Sequence, residues 1–158
     1  MIIFVEGPDG SGKSTLINQL SDRYITARVS KMAENNLVWN KLTVLGQQLG
    51  GDQFLVMDRS PLTEYIYRSE DRTKSKFIFY EVMKWLRRGK FIYCNNDHAY
   101  VNAISRGEDN ITSKTRHDKL KQFYDAFVPT LIADGIKVMY YDWQKDSIDD
   151  VIRFIEEE

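Results

Sequence analysis

The first chemistry this chain offers lies in eight residues near the N-terminus. Gly7-Pro8-Asp9-Gly10-Ser11-Gly12-Lys13-Ser14 follows the order G-x-x-x-x-G-K-[ST]. Glycines let such a loop curl until several backbone N–H groups point inward. A helix beginning at its end adds the positive pole of its dipole, and the result is a cradle for a polyphosphate. In that cradle Lys13 reaches the β- and γ-phosphates of ATP, and the Ser14 hydroxyl ligates Mg²⁺. Gly7, Gly10, Ser11, Gly12 and Thr15 complete the expected phosphate-binding set.

A phosphate-bound Mg²⁺ also wants a carboxylate nearby. The run Phe54-Leu55-Val56-Met57 ends in Asp58, the pattern of a strand whose last residue faces the metal or its waters. Arg59 follows directly and shares that rim. Its planar fork suits an acceptor phosphate or the transferring group. The polar stretch from Ile104 to Lys114 holds a glycine and precedes a long helical pattern. It is expected to be a lid around 104–116 that closes over phosphates, with Arg106 as its phosphate ligand and Lys114 and Arg116 as weaker candidates. A guanine-reading Asn-Lys-x-Asp motif does not occur, since Asn40-Lys41 is followed by Leu42-Thr43. Motor ATPases carry more machinery than this length holds. Phosphoryl transfer to a small acceptor fits best.

The elements that must position these groups alternate. Apolar runs at 2–5, 26–29, 54–57, 91–94 and 136–141 read as buried parallel strands. Between them lie helical stripes: Leu16, Ile17, Leu20 and Tyr24; Val38, Leu42, Leu45 and Leu49; Ile78, Val82, Trp85 and Leu86, with Gly89 as the expected stop; Leu120, Phe123, Tyr124, Phe127 and Leu131, with Pro129 expected to bend or interrupt. Ser147 and Asp150 predict a capping box for a final helix that buries Ile148, Val151, Ile152 and Ile155. This order gives an α/β fold with a mostly parallel sheet of about five strands and helices on both faces. Ligands then bind beyond the carboxyl ends of the strands, after Gly7, Asp58 and Asn95.

The 158 residues suit one domain. A net charge of −1 argues against a nucleic-acid or anionic-membrane partner. No apolar run approaches the roughly 20 residues that span a bilayer, and no signal-peptide pattern opens the chain. Cys94, the one cysteine, excludes an internal disulfide and is expected as a small buried side chain. His98 and His117 have no companion ligands for zinc. The chain therefore reads as cytoplasmic. A homodimer is compatible with it.

The stretches "FVEGPDGSGKST", "VMDRS" and "IYCNNDHAYVNAISRGEDNI" resemble thymidylate kinases and the related deoxynucleoside kinases, over residues 1–25, 53–67 and 90–128. The resemblance implies the P-loop kinase three-layer sandwich, ATP and Mg²⁺, and a small nucleotide or nucleoside acceptor. It also implies that Asp9 contacts the acceptor sugar or its surrounding network. Because Ser11 occupies the variable loop position, the resemblance assigns the basic residue to the lid, which agrees with Arg106. Ser60 stands where thymidylate kinases carry tyrosine and follows the deoxynucleoside kinase pattern instead. The motif after strand two is replaced by "VSKMAENN", and Asn110 stands where a second lid arginine is usual.

A monophosphate acceptor brings its own anionic nucleophile and needs cationic clamps. A nucleoside hydroxyl needs a carboxylate base, for which Glu34 is a candidate. Asp9 and the lid favour the monophosphate; Ser60 and Glu34 favour the nucleoside. Base contacts are expected among Trp39, Asn40, Gln47, Tyr65 and Tyr67. Arg87-Arg88-Gly89-Lys90 is expected to complement a helix C-terminus. A polynucleotide kinase and a non-catalytic nucleotide-binding module would also use a phosphate loop. The neutral charge opposes the first and the arginines oppose the second.

Overall fold

In the computed structural model the described residues are 1–28, 41, 44–46, 48–49, 53–67, 79–107 and 114–157. Five parallel strands, β1 (Ile2–Glu6), β2 (Ile25–Arg28), β3 (Leu55–Asp58), β4 (Gly89–Cys94) and β5 (Val138–Tyr141), pair in the order β2-β3-β1-β4-β5. Helices α1 (Lys13–Ser21), α2 (Pro61–Tyr67), α3 (Phe79–Leu86), α4 (Ala99–Ser105), α5 (Lys114–Ala133) and α6 (Ile148–Glu156) connect them. The expected α/β architecture is the one found.

The apolar runs lack alternation because both faces of the sheet are covered. Ile2, Phe4, Leu55, Met57, Phe91 and Tyr93 pack against α2, α3 and α5. Ile3, Val5, Val56, Ile92 and Cys94 pack against α1 and α6 through Leu16, Ile17, Leu20, Val151 and Ile155. Each such fully buried aliphatic side chain contributes about 1.5–3 kcal/mol. Burial pushes the Cys94 thiol up to about 12, as fits a packing role.

Several boundaries move. β2 starts and ends one residue early, so Arg28, not an interior residue, is its carboxyl end. Strand four begins at Gly89, where a Cβ would lie 2.2 Å from the Ile2 carbonyl oxygen. Gly89 is therefore the site of a close strand–strand approach and not a helix stop. Helix α5 runs unbroken through Pro129. Only one backbone donor is lost there, and Tyr124, Phe127, Val128 and Leu131 bury enough surface to hold the helix together. It ends at Gly135 (φ +84°), with the Ile136 N–H bonded to the Leu131 carbonyl (3.0 Å). Phe123 lies half-exposed, outside the buried stripe.

In the helical pattern over 38–49, Val38 and Leu42 lie outside the described residues. Leu45 is exposed and Leu49 packs against the core. Gly46 takes the inward position, because only a glycine lets the backbone approach Ile2 so closely. The Ser147–Asp150 capping box forms as read, with reciprocal bonds of 3.2 and 3.0 Å.

The basic cluster before β4 does complement a helix end, but a distant one. Lys90 Nζ caps the Phe154, Ile155 and Glu157 carbonyls at the end of α6. Arg87 makes a two-pronged ion pair with Asp134, and Arg88 lies over the Trp85 ring. Among the described residues, no helix is long and apolar enough to cross a membrane.

Candidate active site

Among the described residues, Asp9, Lys13, Ser14, Asp58, Arg59 and Arg106 gather at the carboxyl edge of the sheet. The register sets Val5 beside Asp58, and Asp58 beside Arg28. The loop from Gly7 to Gly12 leaves β1 at the centre of this edge, where the strand order reverses. Gly7, Gly10 and Gly12 have φ of +149°, +78° and +91°. A Cβ on Gly10 would stand 1.9 Å from the Ala99 carbonyl oxygen, so the loop can rest on α4 only with glycine there. The Lys13 ammonium reaches back over the loop to the Gly7 and Pro8 carbonyls (2.5 and 2.9 Å).

Two other elements hold this loop. Asn102 Nδ2 on α4 donates to the Gly10 carbonyl (3.3 Å). His117 on α5 is buried, and its Nε2 donates to the Asp9 carbonyl (3.1 Å). The two helices that flank the expected lid thus hold the successive Asp9-Gly10 and Gly10-Ser11 peptides.

A cavity of about 330 Å³ opens in front of the loop. Asp9, Lys13, Ser14, Arg28, Asp58, Arg59 and Arg106 line it with the loop glycines. Asp58 is buried, and Arg28 Nε approaches it at 3.5 Å. A second cavity of about 430 Å³ lies on the other side of Gly10, Gly12 and Arg106. Its walls are Thr15, Gln19, Asn102, Tyr141, Trp143, Asp146 and Ile148. Asp142, beside Trp143, is tied to the β4–α4 connection by Asn96 Nδ2 (2.7 Å). Burial disfavours its charge, but the Gln144 N–H, Asn96 and Lys145 outweigh that and hold its carboxyl below the usual range.

The expected site residues are thus largely brought together: Gly10, Gly12, Lys13, Ser14, Asp9, Asp58, Arg59 and Arg106 around one cavity, Thr15 in the other. Gly7 and the Ser11 side chain lie beneath the loop. Ser11 is fully buried, and its Oγ has no partner among the described residues. Lys114 pairs with Asp118 (2.8 Å) and lines neither cavity, nor does Arg116. Tyr65 is half-buried beside Phe79 and Phe127. Glu34, Trp39, Asn40, Gln47 and Asn110 lie outside the described residues, as does the Tyr67 side chain. Ser60 is buried, its hydroxyl donating to Glu6 (2.6 Å).

Sequence reasoning missed Glu6, Arg28, Asn102, His117 and Trp143. The rule that found Asp58, a polar residue closing an apolar strand, applies equally to Glu6 and to Arg28 once β2 is placed correctly. Trp143 follows β5 at the same edge. His117 and Asn102 gave no local signal.

The residues present suit a nucleoside triphosphate with Mg²⁺. The glycine cradle leaves no room for side chains, and Ser14 and Asp58 line one cavity. Among the described residues no three or more His, Cys, Asp or Glu side chains cluster.

No family model and no curated protein matches the chain. Solved structures do match it in fold. One is the YorR protein from Bacillus subtilis, solved in complex with phosphorylated GDP. It has a TM-score of 0.73 at 20% identity, over 99% of this chain and 96% of that one. Deoxyadenosine kinase from M. mycoides matches with dCTP bound (TM-score 0.63, 19% identity, 97% of each chain). With dATP bound it matches at 0.64 and 16%, over 99% of this chain and 100% of that chain. The chain has the P-loop kinase fold, a parallel five-stranded sheet between helical layers.

Proposed function

We propose that this protein is an ATP- and Mg²⁺-dependent phosphotransferase that moves the γ-phosphoryl group of ATP onto a deoxynucleoside monophosphate, thymidylate-like in kind. The charge of the smaller cavity carries this reading. Lys13, Arg28, Arg59 and Arg106 face Asp9 and Asp58, so four cations oppose two carboxylates. Such a surplus suits two phosphate groups meeting. It is more than a neutral hydroxyl acceptor calls for.

The larger cavity receives the nucleoside of ATP, with Trp143 as a platform for the base and Asn102, Gln19 and Asp146 for its polar edge. The loop amides and Lys13 hold the β- and γ-phosphates. Arg59 and Arg28 orient the acceptor phosphate, one oxygen of which attacks the γ-phosphorus in line. The bond from that phosphorus to the β-bridging oxygen breaks, and ADP leaves. Lys13 and Arg106 stand where charge builds on the moving group. Asp9 accepts a hydrogen bond from the acceptor sugar. Mg²⁺, held by Ser14 and Asp58 with phosphate oxygens, would neutralise charge on the triphosphate.

A second reading is a deoxynucleoside kinase acting on the 5′-hydroxyl. The M. mycoides structures are named deoxyadenosine kinase and share 16–19% identity with this chain. It needs a carboxylate base, and the candidate Glu34 lies outside the described residues. ADP release from ATP and Mg²⁺ decides between them, with thymidine, thymidylate, other deoxynucleotides and a single-stranded oligonucleotide offered separately. Turnover with a monophosphate supports the leading reading; turnover with thymidine alone overturns it.

The donor site is testable alone. Trp143→Ala is expected to raise the KM for ATP about tenfold, the loss of one base–aromatic stack, with kcat little changed. An unchanged KM would remove Trp143 from the donor site.

A further inference from the structure

Glu6 closes β1 one residue before the phosphate loop, and its carboxylate is fully buried. Five groups donate to it. Oε1 accepts from the Ser60 N–H (2.8 Å), Ser60 Oγ (2.6 Å), the Thr63 N–H (3.2 Å) and Thr63 Oγ1 (2.7 Å). Oε2 accepts from Thr63 Oγ1 (2.8 Å) and from Tyr124 Oη on α5 (3.0 Å). A buried carboxylate persists only when satisfied this fully. None of these donors belongs to its own strand: they come from Ser60 in the β3–α2 turn, Thr63 in the first turn of α2 and Tyr124 on α5.

The residue inside that turn is Arg59, at φ +80°. It is the one non-glycine residue with positive φ among those described. An arginine enters the left-handed region only where its surroundings force it. Here its own N–H is fixed on the Val5 carbonyl (3.0 Å), and the next N–H, that of Ser60, is fixed on Glu6. Two successive backbone donors are therefore anchored on the last two residues of β1. The same turn sends the Arg59 side chain into the cavity that Lys13 and Asp9 also line.

We infer that Glu6 is a positioning residue: its carboxylate locks the Asp58-Arg59-Ser60 turn in the left-handed conformation that aims the Arg59 guanidinium at the phosphates. This rests on the phosphotransferase reading for its catalytic consequence. The geometric claim needs only that Arg59 meets a polyanion. A merely structural Glu6 would stabilise the sheet edge without acting through Arg59.

A double-mutant cycle separates the two roles. Glu6→Gln keeps the shape but weakens acceptance by Oε1 and places an amide NH₂ where Oε2 meets two hydroxyls. Glu6→Gln, Arg59→Ala and the double variant are compared with the wild type by kcat and KM for thymidylate. They are also titrated calorimetrically with inorganic tripolyphosphate, which reads the cavity's cations without turnover. Glu6→Gln is expected to lower kcat about tenfold and to weaken tripolyphosphate binding about fivefold in the wild-type background. It should change either quantity by less than twofold when Arg59 is already alanine. Equal losses in both backgrounds overturn the inference. Coupling seen in the titration with a wild type that turns over no acceptor supports Glu6 and sinks the phosphotransferase reading instead. If Glu6→Gln does not fold, Thr63→Val, which removes the hydroxyl shared by both carboxylate oxygens, replaces it in the same cycle with the same outcomes.

Discussion

Lys13→Ala is expected to lower kcat with ATP and thymidylate about 10³-fold while the protein stays folded. A group aimed at charge developing in the transition state is worth about 10²–10³ in rate when removed. Lys13 stands at the upper end of that range because the proposed reaction sets it at the transferring phosphorus. Its ammonium bonds the Gly7 and Pro8 carbonyls, so the loop loses two contacts as well. Those carbonyls are buried and lose their donor. The stability loss is therefore about 2 kcal/mol, a fall in Tm of about 4–8 °C. Steady-state turnover and a thermal melt followed by circular dichroism measure both. Unchanged turnover would mean that the loop is not the catalytic cradle.

Arg59→Ala comes second, with an expected fall of about 10²–10³ in kcat/KM for the acceptor and a far smaller change, about fivefold, in the KM for ATP. The asymmetry follows from position. Arg59 lines the smaller cavity with Arg28 and Asp58 and is absent from the walls of the larger one. Arg59→Lys should recover less than a tenth of the loss, because an ammonium cannot supply two parallel bonds to a phosphate. The turn itself should survive in either variant. Both residues keep a Cβ, so the left-handed strain is the same, and the Val5 and Glu6 contacts are made by backbone N–H groups. A variant in which only the KM for ATP rises would place Arg59 on the donor side and contradict the assignment.

The parts of this site that were legible are those written locally. The phosphate loop is eight consecutive residues, and Asp58-Arg59 follows directly from an apolar strand. The capping box at Ser147 is likewise a matter of four residues. What was not legible depends on residues far apart in sequence. Glu6 meets Ser60 across 54 positions, and His117 meets Asp9 across 108. Nothing near His117 distinguishes it from any other helix residue. Pro129 and Gly89 misled because tertiary packing overrode their local preference. A long helix with a buried face tolerates one missing donor, and a glycine beside a neighbouring backbone marks closeness as readily as a helix end.

Arg28 shows how small a displacement suffices. Moving β2 by one residue turns an interior strand position into the carboxyl end, and adds a third arginine to the cavity. That arginine tilts the charge toward an acceptor that already carries a phosphate.

The central claim concerns where the phosphoryl group goes. With γ-labelled ATP and Mg²⁺, the protein is given thymidine and thymidylate together at equal concentration, and the labelled products are separated by ion-exchange chromatography. The expected result is label in thymidine diphosphate, with little in the monophosphate. Label in thymidine monophosphate and none in the diphosphate would contradict it.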